Sequence, residues 1–125
     1  MFIEIEPSSE IPIYTQLVNQ LIELIAKGEL QPNDTLPSVR SLAADLGVNM
    51  HTVNKAYHEL ERKRIIRIIP KSGAVVSEIT TPTDEQLATI THALKTVLAE
   101  STVYGMNKDE VLSIALTIMS DYKEG

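Results

Sequence analysis

The chain has 125 residues, 43% of them hydrophobic, with no cysteine and a formal net charge of −6. That length holds one domain, or one small domain with an appendage, and the apolar share is enough for a core, which excludes global disorder. The absence of cysteine excludes disulfides, thiolate catalysis and thiolate zinc sites and fits a reducing cytoplasm, and the acidic balance argues against a protein that coats nucleic acid by bulk attraction.

The distribution of charge says more than the total. Residues 50–73 hold six Lys or Arg against two Glu, whereas residues 81–125 hold three Lys against seven Asp or Glu. An anionic partner is therefore expected to meet the basic middle of the chain. The opening "MFIEIEPSSE" lacks the basic and apolar regions of a secretory signal. No apolar run approaches the roughly 20 residues of a membrane span, so no membrane partner is expected.

In chain order, the first helix is expected from about Pro12 to Lys27. Proline suits its first turn, Gly28 suits the position just past its end, and Leu17, Leu21, Leu24 and Ile25 form its apolar stripe. The stretch "ELQPNDTLP" is a turn-rich connector with room for one short extended piece. A second helix starts near Ser38, a good N-cap, turns Val39, Leu42, Ala43 and Leu46 inward, and stops at Gly47. Only Gly47, Val48 and Asn49 separate it from a third helix that Asn49 can cap, which is the helix-turn-helix pattern. Next, "IIRIIPKSGAVVSEI" reads as a β-hairpin with its turn near Lys71–Gly73. Helix-turn-helix followed by a hairpin is the order of a winged helix. "TTPTD" marks a boundary. Thr83 with Gln86, and later Asn107 with Glu110, are capping signals for two further helices, one to about Glu100 and one to about Tyr122, interrupted by "STVYGMN". The fold class is thus mainly α with a small β-hairpin (α+β): a winged helix-turn-helix over residues 1–80, then a two-helix segment over 81–125.

A helical wheel of the third helix gathers Val53, Ala56, Tyr57, Leu60 and Arg64 on one side. The opposite side carries His51, Lys55, His58 and Arg62 in a row flanked by Thr52 and Asn54. These groups are able to reach base edges or phosphates, and a helix fits a major groove roughly 12 Å wide. A solvated polar face is the plain alternative. His51 and His58 also raise the question of a metal site, but two turns put them roughly 10 Å apart along the axis, with no carboxylate between them on that face, so no metal is expected. His92 falls on a mixed face, as a surface or interface histidine does.

These residues carry a family resemblance. Pro12-Ile13-Tyr14 with Gln16, Gly28-Glu29-Leu30, Leu36-Pro37-Ser38 with Arg40, Leu42-Ala43, Leu46-Gly47-Val48-Asn49, and Thr52-Val53 with Ala56-Tyr57 occur in the order found in the GntR family of bacterial transcription regulators. The chain most resembles the YtrA-like branch, whose short tail serves dimerisation. The resemblance spans about residues 10–77, and the helical tail extends it.

By position, the resemblance implies DNA contacts from Arg40, Asn49, His51, Thr52 and Asn54, and from Gly73 in the wing. Ser38, Lys55, Lys71 and Ser72 join them from their place on the same surface. Arg40 has the alternative of a salt bridge across its helix, Lys71 that of a solvated hairpin tip, and Thr52 that of completing the N-cap; Tyr57 is read as packing. The chain departs from its relatives in several places. Many relatives outside the branch have arginine where Met50 and Asn54 stand. The branch itself usually has proline at Met50, glycine at Arg64, and an Arg-Gly-x-Gly wing of which Pro70-Lys71-Ser72-Gly73 keeps only the last glycine.

The expectation is a homodimeric repressor on double-stranded, inverted-repeat operator DNA. Leu87, Ile90, Leu94 and Val97 from one tail helix, and Val111, Ala115, Ile118 and Tyr122 from the other, would form the dimer interface. So small a helix pair cannot enclose a pocket alone, which leaves any small-molecule effector, unidentified in kind, a site shared between subunits. No cofactor is implied. A winged helix used only as a protein–protein module is the rival reading; no Ser/His/Asp arrangement, carboxylate pair or phosphate loop points to an enzyme.

Overall fold

The computed structural model describes residues 1–123. Contacts along the chain separate two units, Met1–Ile79 and Thr80–Gly125. The first unit contains α1 (Ile13–Ala26), β1 (Thr35–Leu36), α2 (Val39–Leu46), α3 (Met50–Arg62), β2 (Ile66–Ile69) and β3 (Gly73–Val76). Helix starts follow the expected caps. The Ser38 hydroxyl accepts from the Ser41 amide at 3.1 Å and Asn49 Oδ1 accepts from the His51 amide at 2.7 Å, each satisfying a donor that the first turn leaves unpaired.

The connector contributes more than a turn. Thr35 and Leu36 pair antiparallel with Val75 and Ala74, so the expected hairpin becomes a three-stranded antiparallel sheet of order β1-β3-β2. Helices and sheet enclose one core in which Leu17, Leu21, Val53, Ala56, Tyr57 and Leu60 have no exposed surface. Burying each large apolar side chain contributes about 1.5–3 kcal/mol, and α1 and α2 supply their share from the expected stripes.

Two features pull α3 against its surroundings. The Tyr57 hydroxyl donates to the Pro37 carbonyl at 2.7 Å, just ahead of α2. Glu61 Oε2 accepts from the Ile68 amide at 2.8 Å, which ties the end of α3 to β2. At the start of β3, Gly73 sits at φ 109°, and a side-chain carbon there would lie 2.4 Å from the Leu36 carbonyl oxygen and 3.1 Å from the Pro37 carbonyl. Only glycine allows the hairpin to pass so close to the β1–α2 junction.

The N-terminal segment is held by side-chain amides. Gln16 Oε1 accepts from the Glu6 amide at 2.9 Å, while its Nε2 donates to the carbonyls of Glu6 at 3.0 Å and Ile11 at 2.8 Å. Gln20 exchanges the same pair of bonds with the Glu4 backbone. Two glutamines one helical turn apart thus give a segment outside any helix or strand the backbone partners that regular structure would otherwise supply.

Three expectations need correction. Arg64 does not join the inward row of the third helix: α3 ends at Arg62, and Arg64 is exposed with φ 63° in the turn that follows. The last helix stops before Tyr122, because α5 (Lys108–Met119) closes into a turn in which the Tyr122 amide donates to the Met119 carbonyl at 3.0 Å. The preceding helix, α4 (Asp84–Val103), runs a turn beyond Glu100. Both tail helices begin with complete capping boxes, Thr83 with Gln86 and Asn107 with Glu110. Neither has a buried residue: Leu87, Ile90, Leu94, Val97, Ala115 and Ile118 are exposed, and Val111 and Tyr122 are half-buried. α5 also exposes Leu112, Ile114, Leu116 and Met119, so its apolar surface is wider than the single expected stripe. Among the described residues no helix is long and apolar enough to cross a membrane.

Candidate nucleic-acid interface

The polar side of α3 follows from which residues the core takes. Val53, Ala56, Tyr57 and Leu60 are buried, and that fixes the rotation of the helix. His51, Asn54, Lys55, His58 and Arg62 are then exposed, with Thr52 half-buried beside them. Two members of the row have partners. Lys55 Nζ lies 3.9 Å from the centre of the Tyr14 ring, a cation–π contact that restrains a long side chain. Arg62 pairs with Glu59, which Lys63 also approaches at 3.9 Å. The Arg62 hydrogen bond, then the charges of Arg62, Lys63 and Lys55, hold the Glu59 carboxyl below the usual carboxylate range.

At the N-terminal end of α3, the Asn49 oxygen is committed to the cap, so the amide NH2 is the donor it has left. Ser38, half-buried, is likewise occupied as the cap of α2, whereas Arg40 is exposed on its first turn. Tyr14 was not anticipated as part of this surface. With Ile13, His51, Thr52 and Lys55 it lines a shallow depression between the start of α1 and the start of α3. Helical periodicity alone could not have paired residues 14 and 55, which meet only through the packing of α1 on α3.

The hairpin tip is a separate exposed element. The Ser72 amide donates to the Ile69 carbonyl at 3.0 Å, closing a turn with Pro70 and Lys71 at its centre. Lys71 occupies φ 67°, a position that favours glycine. Lys71 and Ser72 are exposed at the tip, but Gly73 is buried against the β1–α2 junction. Of the wing residues, Gly73 therefore has a structural reason to be glycine that does not involve a partner. Tyr57 is fully buried, as a packing residue should be, and burial pushes its phenol up to about 12. Among the described residues there is no group of three or more His, Asp or Glu placed to hold a metal ion.

The family model for the gntR family of bacterial regulatory proteins matches residues 13–76. The chain is similar to the HTH-type transcriptional repressor YtrA of Bacillus subtilis (strain 168), with 38% identity over 125 residues, covering 98% of this chain and 96% of that protein. In structure it is similar to a transcriptional antiterminator from Listeria monocytogenes EGD-e, with TM-score 0.89 and 31% identity, over 100% of this chain and 95% of that one. It is also similar to the DNA-binding domain of AraR in complex with operator ORX1, with TM-score 0.54 and 26% identity, over 62% of this chain and 99% of that domain.

Proposed function

The chain belongs to the gntR family of bacterial regulatory proteins and is a winged-helix, DNA-binding transcription regulator rather than an enzyme; from that premise we propose that it is a repressor that binds an inverted-repeat operator as a homodimer. The observation that carries this reading is the polar row of α3, with His51, Lys55 and His58 exposed, in a chain that also exposes Arg40 on α2 and Lys71 at the hairpin tip. In the proposed complex α3 enters the major groove. His51, Thr52 and Asn54 face base edges together with the amide NH2 of Asn49, while Arg40, Lys55, Lys71 and Ser72 meet the phosphates. Ser38 acts from its cap by fixing the start of α2, and Gly73 acts by letting the hairpin reach its place.

Two further observations support the assembly. The solved operator complex of the AraR domain is of a fold similar to this one, and the relative from Bacillus subtilis bears the name of a repressor. The tail helices, which bury no residue within one chain, would be marginal alone, and a second copy gives their apolar faces a partner. Two half-sites then lie about one duplex turn apart, roughly 34–36 Å.

The test is a titration of the inverted repeat, recovered by selection from random duplexes, against scrambled DNA at two salt concentrations. Lys71→Ala should weaken both alike and lower the salt slope by about 1, whereas Asn54→Ala should relax the preference at one base pair by about 1–3 kcal/mol. Equal losses on both DNAs from both substitutions would sink this division of labour. A monomer in sedimentation at micromolar concentration would sink the dimer.

A further inference from the structure

Among the large apolar side chains of α1, α2 and α3, only Met50 is exposed, at 40%. It is the first residue of α3, it belongs neither to the core nor to the residues packed around it, and its neighbours Asn49, His51 and Asn54 are all exposed and polar. A buried methionine at this place would need no comment. An exposed one, in the middle of a polar reading surface, leaves apolar area in water that a partner could cover.

We infer that Met50 reads the C5-methyl group of a thymine in each operator half-site. The inference rests on the reading of α3 as the helix that enters the groove. The first turn of such a helix is the part that meets base edges, and in the major groove the thymine methyl is the one apolar group a base pair presents. The polar alternative at that end is restricted, because the Asn49 oxygen is occupied by the His51 amide. The unbranched thioether of methionine adapts to a methyl group without demanding one fixed geometry. Asn54 lies one turn further along the same edge of the helix, and an asparagine amide matches N6 and N7 of adenine. Met50 and Asn54 together therefore select neighbouring A·T pairs, one through its methyl group and the other through its adenine edge.

The test removes single methyl groups from the DNA. An operator selected by the full-length protein from random duplexes is rebuilt with deoxyuridine in place of each thymine in turn, and binding is measured for the wild type, Met50→Ala and Met50→Gln. One thymine per half-site should lose about fourfold in wild-type affinity on losing its methyl, the value of one apolar carbon removed from contact. Both variants should bind the thymine and deoxyuridine operators equally well. Two variants are used because a general loss of affinity in one does not touch the methyl comparison made within the other. If no deoxyuridine position matters to the wild type, or if the methyl effect survives in both variants, Met50 is not the reader and α3 keeps its role without it. If selection enriches no sequence at all, the groove-reading helix itself is wrong, and the inference falls with it.

Discussion

Arg64 stands at the end of α3 in a conformation that the ends of α1, α2 and α4 give to glycine. Its amide donates to Glu61 and the Ile65 amide to Leu60, at 2.9 Å each, the paired bonds of a Schellman turn. The same pair of bonds closes α1, α2 and α4, with Gly28, Gly47 and Gly105 at the left-handed position. An L side chain in that region costs about 1–2 kcal/mol, partly offset by the greater freedom of glycine in the unfolded chain. Arg64→Gly is therefore expected to stabilise the fold by about 0.5–1 kcal/mol, read as a higher urea midpoint with an unchanged slope; a midpoint that falls or stays put would show that the arginine makes up for its strain. Lys71 holds the same kind of strain at the hairpin tip, where strain often accompanies function. The end of α3 was hard to read because no glycine marks it, so helical periodicity carried the helix on and turned Arg64 inward.

At the scale of elements, Tyr57 links α3 to the start of α2 through the Pro37 carbonyl. Its phenol is raised to about 12 by burial, against about 10 in an unfolded chain. The folded state thus holds this proton more tightly. The stabilisation is complete below about pH 10 and is lost as pH climbs through the folded value near 12. Urea unfolding from pH 8 to 11.5 should show an alkaline loss of stability that is shallower in Tyr57→Phe, which should also be weaker by about 1 kcal/mol at neutral pH. Identical alkaline slopes would contradict this account. The helices were legible because their caps are local: Ser38, Asn49, Thr83 and Asn107 lie next to what they cap. The short extended piece of the connector was legible too, but its pairing was not, since two residues carry no periodicity and Thr35 finds Val75 only after the chain has turned back. Nor was the glutamine-held arm, whose pairing runs from side-chain amides to a backbone ten or more residues away. The polar row of α3 was legible in full, but its partners Tyr14 and Glu59, and the occupied oxygen of Asn49, required the packed structure.

At the scale of the whole molecule, every buried apolar side chain among the described residues lies between Leu17 and Val76, inside the first unit. A chain ending at Ile79 should therefore melt cooperatively by itself, yet run as a monomer and lose about 10²-fold or more in affinity for the two-site operator, since linked sites gain by that order. Undiminished operator affinity in the shortened chain would show that the tail adds nothing to assembly. The Pro37 carbonyl has a consequence at this scale as well. The Tyr57 hydroxyl closes on it from α3, the backbone of Gly73 passes beside it from β3, and α2 begins immediately after it. Helix, strand and the first turn of α2, which bears Arg40, thus meet at one carbonyl. In the proposed dimer, release from DNA would then come from a change in the distance between two such units, as one opens a pair of compasses without bending either leg.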